Sequence, residues 1–301
     1  MDIINEIKKL KKEKEAIILA HYYVNDELQE IADYVGDSFY LSKIAATTNA
    51  KQIIFAGVKF MGESAKILNY DKRVFLLDEN ATCAMAHMAT VKRILEMKSK
   101  YDNLAVVCYI NSTMELKKYS DVCVTSANAI KIVSKLPNKN IFFIPDQNLG
   151  NYVKEQVKDK NIIVNDGFCP IHHEVKLDSV RKLKKQFPLA IVLAHPECKR
   201  EILEEADFIG STSMIIDAVN NYDNDEFIVL TENGVLYELR NKYPNKQFYE
   251  VREQMVCVDM KKNTIEKLYD VLVNETNEVK ISIEDRNLAL KPLEEMLRYA
   301  K

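Results

Sequence analysis

The chain of 301 residues has only seven glycines, and no two of them form a G-x-G. That scarcity nearly excludes the glycine-rich loops that cradle nucleotide phosphates. The closest approach is "GVKFMGES", residues 57–64, where Glu63 stands in place of the phosphate-binding lysine. A carboxylate there would repel a phosphate. Long apolar runs are missing as well. None approaches the roughly 18 residues of a membrane span. The opening "MDIINEIKKLKKEKEAI" has Ile3, Ile4, Ile7 and Leu10 at helical spacing and no apolar leader core. Its run "KKLKKEKE" reads as a solvated helix face. The expectation is a cytoplasmic protein with no membrane partner. A net charge of −3 supplies no basic field, so nucleic acid is not an expected partner either. Metal-binding spacings are absent around "GFCPIHH", residues 167–173, which has no C-x-x-C, H-E-x-x-H or H-x-x-x-H near it. Any partners of Cys169 must come from far away in sequence, because structural zinc sites use four ligands and catalytic ones three.

What the chain does have is a threefold repeat. At 47% hydrophobic it can bury a sizeable core. "AIILAHYY" from Ala16, "LAVVCYINS" from Leu104 and "LAIVLAHPE" from Leu189 are apolar β-type runs that end in polar clusters. "IADYVGDS", "YSDVCVTSAN" and "EADFIGSTS" follow as short strands entering helical patterns, and "QIIFAGV", "NIFFIPD" and "EFIVLTE" as third strands. The offsets agree: His21 to Tyr109 is 88 residues and Tyr109 to His195 is 86, and the same steps separate Asp33, Asp121 and Asp207. Strands alternating with helical segments predict parallel sheets covered by helices on both faces. The expected fold is α/β, with three pseudo-threefold α/β/α sandwich units around a central cavity. The units span residues 1–86, 87–172 and 173–257, and a helical tail, residues 258–301, packs back on the body.

The repeat also gathers cysteines. Cys83, Cys169 and Cys257 are 86 and 88 residues apart, each after the last strand of its unit. A pseudo-threefold axis would bring three thiolates to one point with no fourth equivalent. That donor set suggests an iron–sulfur cluster with one iron open to substrate oxygen, a Lewis acid. The plain alternative is three small buried residues. With a reducing compartment expected, disulfides are not. Cys108, Cys123 and Cys198 lie in or beside apolar strands and read as core.

Ligands of parallel α/β sheets bind beyond the carboxyl ends of the strands. The first strands deliver His21 and Tyr23, Tyr109 and Asn111, and His195 and Glu197 to that end. The second deliver Ser38, Ser126, and Ser211 with Thr212, which precede helical segments and read as N-caps. Helix N-termini favour carboxylate or phosphate, so three of them predict a small substrate with several negative charges. His87 and His173 carry no repeat signal and read as structural or surface residues.

These motifs resemble quinolinate synthase, the iron–sulfur enzyme family of bacterial and archaeal NAD biosynthesis. "LAHYY", "IADYVGDS", "ATCAMA", "YINST", "TSANA", "PDQNLG", "GFCPIHH", "AHPEC", "GSTS" and "MKKNT" occur in the family's order over essentially the whole chain. The resemblance implies a triangular protein with a [4Fe-4S] cluster bound by Cys83, Cys169 and Cys257. It implies condensation of iminoaspartate with dihydroxyacetone phosphate to quinolinate, losing phosphate and two waters. A separate enzyme would supply the iminoaspartate. Substrate-binding positions carry over to His21, Ser38, Tyr109, Ile110, Asn111, Ser126, His195, Pro196, Glu197 and Thr212, with Ser211 also orienting the anions and His172 beside Cys169. Glu197, with His195 or Tyr23, would move protons, and His21 would assist. Tyr22, which is Asn in some relatives, is given no role. Relatives with a C-terminal C-x-x-C have no counterpart here, so no redox-switch disulfide is expected. The rival readings are another [4Fe-4S] hydro-lyase acting on a small carboxylic acid, a non-enzymatic anion-binding or iron-sensing module and, more remotely, a zinc enzyme.

Overall fold

A computed structural model describes residues 3–251 and 255–301. Twelve strands form three four-stranded sheets, every pairing within them parallel. The first sheet holds β1 (Ala16–His21), β2 (Tyr34–Gly36), β3 (Gln52–Ala56) and β4 (Arg73–Leu76). The second holds β5 (Leu104–Tyr109), β6 (Val122–Val124), β7 (Asn140–Ile144) and β8 (Asn161–Val164). The third holds β9 (Ile191–Ala194), β10 (Phe208–Ile209), β11 (Glu226–Leu230) and β12 (Gln247–Tyr249). Their orders are β2-β1-β3-β4, β6-β5-β7-β8 and β10-β9-β11-β12, one topology three times. Near-continuous apolar runs such as Ile18–Leu19–Ala20 and Val106–Val107–Cys108 are wholly buried, as strands covered on both faces must be.

The repeated aspartates explain the shared register. Asp33, Asp121 and Asp207 precede the second strand of each sheet. Their carboxylates accept the amides of Ile18, Val106 and Val192 at 2.8, 2.7 and 2.8 Å. Their own amides donate back to the carbonyls of the same three residues at 2.9 Å each. One side chain therefore sets where the second strand joins the first, and hence where its carboxyl end points.

The hydrophobic cores divide unevenly. The first two sheets share one continuous cluster, which also takes in Leu268, Leu272, Leu293 and Met296 of the C-terminal helices. The helix Ile283–Tyr299 lies against β6 and the helices Lys59–Leu68 and Met114–Lys118. The third sheet has separate clusters on its two faces. Tyr22 packs against one of them, an apolar contact that accounts for the residue without a chemical role. Cys108, Cys123 and Cys198 are fully buried among core side chains. Among the described residues no helix is long and apolar enough to cross a membrane.

Candidate active site

The carboxyl ends of the strands line one pocket. Into it come His21, Tyr23, Ser38, Cys83, Tyr109, Asn111, Ser126, Cys169, His172, His195, Glu197, Thr212 and Cys257. Three expected residues stay out of that lining. Ile110 is buried core, Pro196 only connects His195 to Glu197, and Ser211 donates behind the wall to Asp37 Oδ2 at 3.2 Å. The capping expectation holds for Ser211, which accepts the Met214 amide at the start of the helix Thr212–Ala218. It fails for Ser38 and Ser126. Asp37 caps the helix Ser38–Thr47 by accepting from the Tyr40 amide, so Ser38 is the first residue inside the helix. Asn128 precedes the helix Ala129–Lys135, but its Oδ1 turns back to accept the Thr125 amide at 2.7 Å. The hydroxyl of Ser126 is thereby left for the pocket.

His21 closes β1 and His195 follows β9, and their surroundings repeat. His21 Nδ1 accepts the Tyr23 amide at 3.2 Å, and His195 Nδ1 accepts the Glu197 amide at 3.4 Å. A neutral ring that accepts at Nδ1 carries its proton on Nε2, which in His195 donates to Ser126 Oγ at 3.2 Å. Burial lowers the His21 pKa to about 4 against the pull of Asp37 and Glu197, and that of His195 to about 3 against the pull of Glu197. Both rings are neutral at neutral pH.

Glu197 is buried, which by itself would raise its pKa. The His195 and His172 rings and the Tyr109 hydroxyl outweigh burial and bring it to about 2. Its Oε2 takes His172 Nδ1 at 2.8 Å, while its Oε1 and the Oδ1 of Asn111 are buried without a hydrogen-bond partner. Buried acceptors are rarely left unpaired, so both await a donor from whatever enters. Tyr23 behaves differently. Burial pushes its phenol well above its usual value, so it remains an O–H donor and is not a base. His172 connects the two. Tyr23 Oη lies 2.7 Å from both Thr212 Oγ1 and Thr231 Oγ1, and Thr231 Oγ1 lies 2.9 Å from His172 Nε2. Read in one direction, Thr212, Tyr23, Thr231 and His172 donate in turn and Glu197 accepts last.

Cys83, Cys169 and Cys257 are half-buried, one after the last strand of each sheet. Burial first, then the nearness of Cys257, raises the Cys83 thiol to about 12; burial first, then the Glu197 charge and after it Cys83, raises Cys169 well above its usual value; and burial raises Cys257 to about 11. Such thiols become thiolates only with a cation at hand. Among the described residues the one group tight enough for a single ion is Cys169, His172 and Glu197, with ligand atoms within 4.8 Å of one another. The three cysteine sulfurs do not share so tight a space, as ligands of one ion about 2.3 Å from each sulfur would have to.

Other participants lie outside the sequence reading. Thr231, Asp37, Asp146, Glu232 and Lys261 surround the site, and Lys261 Nζ donates to the Tyr23 carbonyl at 2.8 Å. Thr231 occupies the repeat position of Gly57 and Pro145, just past the third strand of its sheet. The strand-end rule, carried to the third strands, points to it. His87 and His173 lie aside from this group: His87 Nε2 meets Thr82 Oγ1 at 3.0 Å, and His173 stacks on Phe168.

A parallel α/β fold whose strand ends gather neutral histidines, an ionised glutamate and three thiols defines an enzyme acting on small molecules. Residues 5–298 match the family described as Quinolinate synthetase A protein. Relatives named quinolinate synthase include one from Fusobacterium nucleatum, 57% identical over 98% of this chain and 99% of its own. One from Clostridioides difficile is 48% identical over 100% and 99%, and one from Caldicellulosiruptor bescii 50% identical over 97% of each. The chain belongs to the quinolinate synthetase A family, enzymes of NAD biosynthesis.

Proposed function

We propose that this chain condenses iminoaspartate with dihydroxyacetone phosphate to give quinolinate, phosphate and two waters, with a [4Fe-4S] cluster bound to Cys83, Cys169 and Cys257. The observation that carries the reading is the convergence of those three thiols with His21, His195 and Glu197 on one pocket, in a chain of this family. Domain limits at residues 86, 172 and 257 belong to the same proposal, as does a cytoplasmic setting in which a separate enzyme supplies iminoaspartate. The overall equation balances without an oxidant or reductant. When bound, the cluster would supply Lewis acidity at its open iron.

The remaining work falls to side chains. The Ser126 hydroxyl, which accepts from His195 Nε2–H at 3.2 Å and keeps its own proton free, donates to an anionic oxygen on one wall. The Nε2–H of His21, with Ser38 and Thr212, does so on the other. Asn111 and Tyr109 orient the chain of the substrate between them. Glu197, ionised and with Oε1 unpaired, accepts a proton from carbon or nitrogen of the substrate. Run the opposite way, from Glu197 through His172 and Thr231 to Tyr23, the same line returns that proton to a departing hydroxyl. Iron and sulfide assay with a visible spectrum, on protein purified without oxygen, tests the cluster: about four of each are expected, and loss in Cys169→Ser. Quinolinate formation from both substrates tests the reaction. Dehydration of a small acid with no need for the triose phosphate would replace this reading by the hydro-lyase.

A further inference from the structure

The three cysteine segments share a backbone frame. In each, the residue three past the third strand donates its amide to the residue two before the cysteine: Lys59 to Ala81 at 2.8 Å, Gln147 to Gly167 at 2.6 Å and Asn233 to Met255 at 2.8 Å. The residue two past the third strand differs. It is Val58, Asp146 and Glu232 in turn. Asp146 and Glu232 are completely buried. Asp146 uses Oδ1 to cap the helix Gln147–Gln156 through the Leu149 amide at 2.6 Å, and Oδ2 to accept the Cys169 amide at 3.0 Å. Glu232 uses Oε2 to hold the Gly234 amide at 2.7 Å and Oε1 to accept the Cys257 amide at 2.9 Å. Each acid thus braces its own strand end with one oxygen and a cysteine 23 or 25 residues later with the other.

The Val58 side chain can accept nothing. Cys83 is approached from elsewhere: the Thr82 amide donates to Asp259 Oδ1 at 3.3 Å, and Asp259 lies two residues beyond Cys257. Glu232 has Lys261 Nζ at 3.3 Å, whereas no ion pair reaches Asp146 among the described residues.

We propose that Asp146 and Glu232 are positioning residues that fix Cys169 and Cys257 through their amides, so that two of three thiolates are in place before the cluster arrives. Cys83 is set at second hand through the Cys257 segment. A carboxylate–amide bond made inside the protein is stronger than a neutral one and leaves little freedom to the backbone. Groups that orient metal ligands in this way typically hold about 10- to 100-fold in metal affinity.

The inference rests on the cluster reading above, and wild-type iron content comes first: no iron after anaerobic reconstitution would overturn that reading and the bracing with it, whereas a loaded wild type lets the bracing fail alone. On iron-loaded protein, the experiment is the rate of iron release to a chelator, with the visible circular dichroism of the cluster. Asp146→Ser keeps a good helix cap but has one short oxygen and no reach to Cys169. Asp146→Ala loses both. Release about tenfold or more faster in both variants, with a changed dichroic spectrum, is expected. Wild-type release and spectrum in Asp146→Ser, with faster release only in Asp146→Ala, would reduce Asp146 to a helix cap and overturn the proposal. Should the Asp146 variants not fold, Glu232→Ala decides by the same readouts: faster release and an altered spectrum support the bracing, and wild-type behaviour overturns it.

Discussion

At the scale of single residues, the site's chemistry comes from which way burial drives each group. Burial keeps His21 and His195 neutral and Tyr23 protonated, while the rings and hydroxyl around Glu197 keep it ionised despite burial. In the proposed chemistry proton acceptance falls to Glu197, and Tyr23, its proton-moving partner in the sequence reading, serves as a donor. Glu197→Gln is expected to retain iron and lose about a hundredfold or more in turnover, as removal of a general acid–base group does. Full turnover in that variant would remove Glu197 from the chemistry. Thr231→Val is nearly the same size but breaks the line between Tyr23 and His172. Its expected result is a fall in kcat of about tenfold or more with KM little changed, since no substrate anion is held by Thr231. An unchanged kcat would show that Tyr23 and His172 act independently.

At the scale of elements, the repeat is written in side chains that cross between strands. Asp121 accepts the Val106 amide and returns its own, as its two counterparts do, and all three are solvent-exposed. Asp121→Ala should lower stability by about 1 kcal/mol in urea titration, the worth of one such bond, with iron content unchanged. A loss of iron instead would mean that β6 sets the pocket more directly than its register implies. Gly234 shows how tightly two elements can approach. A Cβ there would lie 2.5 Å from the Tyr22 carbonyl oxygen and 2.8 Å from Tyr23 Cα, so the turn after β11 abuts the chain that carries Tyr23. Gln29 Nε2 spans the same junction, donating to the Tyr22 and Gly234 carbonyls at 2.8 and 3.0 Å.

At the scale of the whole molecule, the C-terminal helix is part of the core. Leu293 is fully buried in the cluster shared by the first two sheets. Leu293→Ala is expected to cost about 2–5 kcal/mol, read as a lowered urea midpoint. A cost under half a kcal/mol would place that helix outside the cooperative unit. Acid should also act globally. The unfolded chain takes up protons at histidine below about pH 6.5, whereas His21 and His195 in the folded chain resist until about pH 4 and 3. Stability contributed by these neutral rings is complete above pH 6.5 and falls as pH drops from there through 4 to 3. Glu197, held at about 2, adds its own loss only below about 4.5. The urea midpoint of cluster-free protein should decline between pH 6.5 and 4, and His195→Asn should flatten the decline. An equal slope in that variant would contradict the assignment.

The sequence by itself determined the repeat, the parallel α/β class, and the cysteines and strand-end residues that meet at the pocket. These are legible because strands of period and composition fit for two-sided burial recur at fixed offsets, and equivalent positions in a repeat take equivalent places in space. What only the tertiary structure decided was pairing between distant copies. Nothing in local spacing says that Thr231 joins Tyr23 to His172, that Asp37 and not Ser38 caps a helix, or that Asp146 and Glu232 reach cysteines while Val58 cannot. Hydrogen bonds depend on distance and direction between atoms that folding brings together from distant segments, Tyr23 and Thr231 being 208 residues apart. The pKa values follow the same rule, because burial and neighbouring charge are properties of the assembled site and not of any stretch of chain.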